Sequence, residues 1–184
     1  DIFNLTNEKQ AGLKDAKEAT GQALETIKRL KEEGRGLIGI SSGFTELDDK
    51  IQGLKNGDFI IIAARPGMGK TTFALNIVER VLKSKQGVIF FSLEMPAVQL
   101  MFRLFSSYTS INLGDIMKAN LNDDNLETLS QTADEIANSD LYIYDSGNLT
   151  VHMVRAQLRR LLQKNANIKL CVIDYIGLMT NSSS

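Results

Sequence analysis

The chain has 184 residues and a mass of 20.4 kDa, with 21 Lys and Arg side chains against 22 Asp and Glu. This length suits one domain with an appendage, and a hydrophobic share of 43% is typical of a globular protein. Collagen-like, disulfide-rich and wholly disordered classes are therefore excluded. The net charge of −1 argues against a strongly basic nucleic-acid binder but leaves room for local basic loops.

Cysteine usage and hydropathy indicate the compartment. The single cysteine, Cys171, excludes an internal disulfide and favours a reducing environment. No apolar run of about 18 residues is present, so we predict no membrane span and no membrane partner. The first residues lack the blocks of a signal peptide. We expect a cytoplasmic protein, and, because the chain starts without Met and ends in serines, a piece of a longer one.

An amphipathic helix is predicted over residues 7–33, followed by glycines at 34 and 36 that end it. Its apolar positions recur at helical spacing between Lys and Glu: Leu13, Ala16, Ala23, Leu24, Ile27 and Leu30. We therefore divide the chain into a linker segment, 1–36, and a domain, 37–184. The apolar stripe packs either on its own domain or on a neighbouring subunit.

Strands and helices alternate through the domain. Thr45 with Asp48 predicts a capping box that opens a short helix ending near Gly53. The apolar run at 58–64 predicts a strand buried on both faces. Further strands are predicted at 88–92, 141–144 and 170–174, and helices at 70–83, 96–108, 115–119, 123–137 and 150–163. This alternation predicts an α/β fold with a mostly parallel, doubly wound sheet, and Cys171 in its core.

A glycine-rich loop links the first predicted strand to its helix. It reads Ala64, Arg65, Pro66, Gly67, Met68, Gly69, Lys70 and Thr71, and fits the phosphate-loop pattern except that Ala64 replaces the first glycine. Glycines at 67 and 69 allow backbone N–H groups to turn inward as an anion nest, at the positive end of the helix dipole. Lys70 would reach the β- and γ-phosphates of a nucleotide and Thr71 would hold Mg²⁺.

Two acidic residues follow predicted strands at the edge where ligands bind in doubly wound sheets. Asp174 ends the last strand, where a carboxylate holds magnesium or caps the next turn. Glu94 follows the strand at 88–92 and is either the base that deprotonates the attacking water or an acid at a helix start. Arg65 and Arg103 are weaker candidates, and His152, the only histidine, is expected at the surface.

Four blocks in this order resemble the DnaB-type hexameric replicative DNA helicases of bacteria, a branch of the RecA-like ATPases. They are Gly43-Phe44-Thr45-Glu46-Leu47-Asp48, the loop from Ala63 to Ala74, Ser92-Leu93-Glu94-Met95, and Val172-Ile173-Asp174-Tyr175. Ala64 in place of the first loop glycine is usual in that family. The segment before Gly34 resembles the family's linker helix, which packs on the adjacent subunit.

The resemblance implies a RecA-like phosphate-loop fold and a homohexameric ring around single-stranded DNA, which moves 5′ to 3′ and separates duplex at the replication fork. It implies ATP and Mg²⁺ as cofactors, with Glu94 as catalytic base. By the same resemblance, ATP would bind between subunits, with Lys70, Thr71 and Asp174 on one side and an arginine of the neighbouring subunit on the other. The loop residues 64–72 would bind the nucleotide. Primase, a helicase loader and a bacterial, nucleoid-associated location are implied too. The sensor residue, arginine finger and DNA loops are expected beyond Ser184.

Two other functions stay open. A RecA-like recombination or repair ATPase shares the phosphate loop and the acids at strand ends, although the block from Ser92 to Met95 argues against it. The second alternative is an assembly module that uses nucleotide only to hold a ring. Replacement of Glu94 by Gln separates the module from the motor, because only a motor loses its activity.

Overall fold

The computed structural model describes residues 15–33, 39–175 and 177. The first helix, α1 (Ala16–Glu33), agrees with the sequence prediction, whereas its predicted start at 7–14 and the glycines at 34 and 36 lie outside the described residues. Leu24 and Ile27 on α1 are 54% and 59% exposed. This part of the apolar stripe is therefore not packed on the chain's own domain.

The elements of the domain are, in chain order, α2 (Thr45–Ile51), α3 (Lys70–Lys83), β1 (Gly87–Ser92), α4 (Ala97–Thr109), α5 (Leu113–Lys118), α6 (Asp123–Ala137), β2 (Leu141–Tyr144), α7 (Val151–Lys164) and β3 (Ile168–Asp174). Side chains accept from backbone N–H groups at several helix starts. Thr150 accepts from Met153 at the start of α7, and Asn112 accepts from Gly114 at the start of α5. Within the described residues no helix is long and apolar enough to cross a membrane.

The sheet has the order β2-β1-β3, and both pairings are parallel. β1 is buried along its whole length because helices cover both of its faces. Val88 and Phe90 join one core, with α3, α4 and α6, and the alternate residues Ile89 and Phe91 join another, with α7. This arrangement confirms the predicted doubly wound α/β fold and places the ends of β1 and β3 side by side.

The predicted strand at 58–64 is wrong. None of these residues is in a strand, and the apolar side chains are exposed, Phe59 by 77% and Ile61 by 72%. A strand needs a partner for its backbone N–H and C=O groups, and the described sheet pairs β1 only with β2 and β3. The segment therefore remains unpaired despite its β-branched composition.

Two smaller predictions are also wrong. Thr45 does not cap α2, whose N-cap residue is Phe44, with no side-chain capping bond. Asp48 instead accepts hydrogen bonds from Ser41 and Ser42, which precede the helix. Cys171 is exposed rather than in the core, because β3 lies at the edge of the described sheet.

Candidate functional site

The phosphate loop projects into solvent at the start of α3. All residues from Ala63 to Gly69 are exposed, and Gly69 is the N-cap residue of α3. Gly67 and Gly69 have φ values of 78° and 86°, in the left-handed region that favours glycine. A Cβ at either position would have nothing within 4 Å, so backbone conformation rather than crowding requires glycine. The end of the loop at Gly69, where α3 begins, is therefore accessible to an anion, whereas the Met68 N–H donates to the Arg65 carbonyl at 3.2 Å.

Asp174, at the end of β3, contacts two side chains of α3 that the sequence predicts to be functional. Thr71 donates its hydroxyl to Asp174 Oδ2 at 2.6 Å, and Lys70 Nζ lies 2.9 Å from Asp174 Oδ1. Asp174 is only 6% exposed, so the Lys70 ammonium compensates a carboxylate charge that is largely removed from water. The structure thus brings together three predicted site residues that are up to 104 positions apart in sequence, 174 against 70.

The ammonium of Lys70 has a second neighbour that the sequence analysis missed. Its Nζ lies 4.4 Å from the centre of the Tyr175 ring, within range of a cation–π contact. Tyr175 immediately follows Asp174, so one short segment supplies both the carboxylate and the aromatic face. A tyrosine directly after a strand-end acid was the available sequence signal.

The donor set fits a magnesium ion bound together with a phosphate group. Asp174 Oδ1 is buried and accepts no hydrogen bond, having only the ionic contact with Lys70. Thr71 adds a hydroxyl oxygen at the same point. The described residues contain no cluster of three or more His, Cys, Asp or Glu that could hold a metal by themselves. Magnesium characteristically takes one or two protein oxygens and completes its shell with phosphates and water.

Glu94 lies at the same edge of the sheet but is exposed and separate from the cluster at Asp174. Leu93 donates its backbone N–H to the Asp174 carbonyl at 2.8 Å, so Glu94 follows directly after a residue joined to β3. Ser92 donates its hydroxyl to the Met95 carbonyl at 2.6 Å and fixes this turn. Among the described residues, no hydrogen bond or ion pair joins Glu94 to Lys70, Thr71 or Asp174.

Asp145 is an acid that bonds to the start of α4. The Ala97 N–H donates to Asp145 Oδ2 at 2.9 Å, across 48 positions of sequence. Asp145 directly follows β2, and sequence analysis missed it although it too is a strand-end acid. No hydrogen bond joins Glu94 to α4 within the part of the chain that the structure describes, and the choice between base and helix-start acid for Glu94 stays a prediction.

The remaining predicted residues lie at the surface. Ala64, Arg65 and Pro66 are exposed in the loop, Met68 is 73% exposed, and Thr72 is exposed on the first turn of α3. His152 is exposed on α7, as expected, and Arg103 is half-buried on α4. These positions give the loop residues access to a ligand and assign no role to His152 or Arg103.

The fold and the site together define a RecA-like phosphate-loop domain. Residues 39–184 match the family described as the DnaB-like helicase C terminal domain, and the chain belongs to this family. The replicative DNA helicase DnaB of Helicobacter pylori is 36% identical over 174 residues, which are 94% of this chain and 36% of that protein. The Geobacillus stearothermophilus DnaB is 36% identical over 183 residues, 98% of this chain and 40% of its own length.

Solved structures show the same relationship. A DnaB-like replicative helicase, studied with its interactions with primase, superimposes with a TM-score of 0.76 at 34% identity, over 89% of this chain and 40% of that one. A separately solved ATPase domain gives a TM-score of 0.79 at 33% identity, over 93% of this chain and 61% of that chain. The chain spans about 36–40% of the length of the two curated relatives named above.

Proposed function

We propose that the chain is the ATP-hydrolysing part of a replicative DNA helicase subunit, which unwinds duplex DNA 5′ to 3′ at the fork as a hexameric ring. The observation that carries this proposal is the buried Asp174 carboxylate that contacts both Lys70 and Thr71 beneath an exposed phosphate loop. The named relatives, which are replicative helicases, support the choice of motor over other phosphate-loop enzymes.

Lys70 and the loop act as the phosphate-binding group. The backbone N–H groups of Gly69, Lys70, Thr71 and Thr72 lie at the N-terminus of α3 and suit phosphate oxygens, and the loop from Ala64 leads into them. The Lys70 ammonium is paired with Asp174 in this structure. A bound triphosphate therefore competes with Asp174 for the same cation. This competition couples nucleotide binding to the charge of the strand-end acid.

Thr71 and Asp174 would hold Mg²⁺, one through its hydroxyl and the other through a carboxylate oxygen. When bound, the ion supplies charge neutralisation of the phosphates. The present hydrogen bond from Thr71 to Asp174 keeps the two oxygens adjacent at 2.6 Å. This adjacency supports the proposal that the two side chains share one cation.

Glu94 is proposed as the base that takes the proton of the attacking water. Its carboxylate is exposed, next to a residue anchored to β3, and unengaged by the helix start that Asp145 occupies. A general base must be free to accept a proton and must lie at the reacting edge of the site. The exposure of Glu94 and its place directly after β1 support this role.

The exposed stripe of α1 and family membership support the proposed ring and its partners. Leu24 and Ile27 are uncovered, which suits docking of α1, within the linker segment 1–36, on the neighbouring subunit of a homohexamer. One solved relative was studied with its interactions with primase, which supports primase as a partner here. Single-stranded DNA, a helicase loader and a bacterial, nucleoid-associated cytoplasmic location complete the proposal.

The test is ATP-dependent separation of a forked duplex by the complete parent protein that contains these residues, since we expect the 184 residues alone to be poorly active. Glu94→Gln is compared with Glu127→Gln, a matched control on the exposed face of α6. We expect unwinding that needs a free 5′ tail, is lost with Glu94→Gln and is kept with Glu127→Gln. Hydrolysis stimulated by single-stranded DNA without unwinding would indicate a recombination ATPase instead. Nucleotide binding with neither activity would indicate an assembly module.

A further inference from the structure

Asp48 is a buried carboxylate that the proposed reaction does not use. It is 5% exposed, and its Oδ2 and Oδ1 accept hydrogen bonds from the Ser41 hydroxyl at 2.7 Å and the Ser42 N–H at 2.9 Å. Burial alone raises the pKa of Asp48, but the hydrogen bonds from Ser42 and Ser41 outweigh it and lower the pKa below its ordinary value. The side chain is therefore a charged anchor for the loop before α2.

The loop that Asp48 holds includes an aromatic residue, Phe44. Phe44 donates its N–H to the Ser42 hydroxyl at 3.2 Å, so the hydrogen bonds pass from Asp48 through Ser42 to Phe44. The surrounding segment, 39–54, is closed by paired hydrogen bonds of 2.9 and 2.8 Å between Ile40 and Leu54. The segment that carries the Phe44 ring is therefore fixed by hydrogen bonds at several points.

Phe44 contacts the first turn of the phosphate-loop helix. Its ring stacks on Phe73 with centroids 4.7 Å apart and an angle of 21° between planes. Phe73 lies two residues after Thr71, and its N–H donates to the Gly69 carbonyl at 2.9 Å. A shift of Phe73 would therefore reach the residues that carry Lys70 and Thr71, because one helical turn moves as a unit.

We propose that Asp48 is a positioning residue for the phosphate loop: by holding Phe44 against Phe73, it fixes the first turn of α3 in the conformation that binds a magnesium nucleotide. The inference rests on the proposed function, since it names how that site is preorganised. Without the anchor, the competent conformation is populated for only part of the time. If the population of the competent conformation falls to between a fifth and a tenth, the apparent Kd rises about five- to tenfold.

The measurement is the Kd for ATPγS with Mg²⁺ on the folded full chain, for Asp48→Asn, for Phe44→Leu and for the conservative Phe44→Tyr. Asp49→Asn is the matched control, because it makes the same chemical change at an exposed neighbouring position of α2. Ile136→Val, in the core at α6, controls for loss of stability alone. We expect a five- to tenfold rise in Kd for Asp48→Asn and Phe44→Leu, and little change for Phe44→Tyr and both controls.

Each outcome bears on a distinct step. An unchanged Kd in folded Asp48→Asn, with lower stability, would overturn the positioning role and leave the proposed function intact. If Asp48→Asn does not fold, Phe44→Leu decides, and an unchanged Kd in that variant also overturns the role. Failure of the unsubstituted chain and of Asp49→Asn to bind ATPγS would instead contradict the proposed nucleotide site itself.

Discussion

The ion pair between Lys70 and Asp174 predicts a measurable coupling in the protein without nucleotide. The contact is 2.9 Å long, with side-chain exposures of 28% for Lys70 and 8% for Asp174. Lys70→Met removes the cation and leaves the Asp174 carboxylate with the Thr71 hydroxyl as its remaining side-chain hydrogen-bond donor among the described residues. Asp174→Asn removes the charge but keeps an oxygen that can accept from Thr71.

The magnitude follows from the unequal burial of the pair. Loss of one partner of a fully buried pair costs about 3–5 kcal/mol, whereas an exposed pair is worth about 0–1 kcal/mol. Because Lys70 remains partly exposed to water, we expect Lys70→Met to lower the free energy of unfolding by about 1–2 kcal/mol. In the Asp174→Asn variant, Lys70→Met should lower the free energy of unfolding by about 0.5 kcal/mol or less.

A double-mutant cycle measured by urea unfolding tests this expectation. The four proteins are compared at one protein concentration and without nucleotide, because bound ligand and assembly both shift apparent stability. Far-ultraviolet circular dichroism suits a chain that has no tryptophan. A coupling energy near zero, with both single variants as stable as the unsubstituted protein, would refute the inference that Lys70 neutralises Asp174 in the absence of nucleotide.

Three further predictions concern Asp48, Asp145 and Phe90. Since the pKa of Asp48 in the folded state lies below 3.8, its stabilising effect is complete above about pH 5 and is lost as pH falls through the folded pKa. In urea unfolding, the amount by which Asp48→Asn lowers the free energy of unfolding should therefore be constant from about pH 7 to 5 and shrink below about pH 4. A difference that stays constant at acid pH would contradict this expectation. Asp145→Ala should lower the free energy of unfolding by about 1 kcal/mol, because the N–H group at the start of α4 loses its acceptor. Asp134→Ala, at an exposed position, is the control and should not show this loss. Phe90→Ala, at a fully buried position, should cost about 3–5 kcal/mol in thermal or urea unfolding, and a loss under about 1 kcal/mol would show that β1 is not central to the core.

Local signals in the sequence predict most of the elements. Thr150 both marks and caps the start of α7, because the capping bond is made within three residues. The loop from Ala64 to Thr71 can be identified because glycines at positive φ and a following helix are properties of a short segment. Asp174 can be identified for a related reason, since strand-end acids meet at one edge of a parallel sheet.

Predictions fail where the outcome depends on distant partners. The apolar run at 58–64 has the composition of a strand, but pairing requires a neighbour that composition does not specify. Thr45 and Asp48 have capping-box spacing, yet Asp48 bonds to Ser41 and Ser42 because the loop folds back on the helix. Exposure of Cys171 likewise depends on the edge position of β3.

The most direct test of the nucleotide-driven motor compares the complete parent protein with its Asp174→Asn variant on a forked duplex that carries a 5′ tail. ATP hydrolysis and strand separation are measured in the same reaction. We predict that the unsubstituted protein does both with ATP and Mg²⁺, and that Asp174→Asn, although folded, loses both together. Hydrolysis and strand separation by Asp174→Asn at the unsubstituted rate would contradict the central claim that the Asp174 cluster is the reacting site.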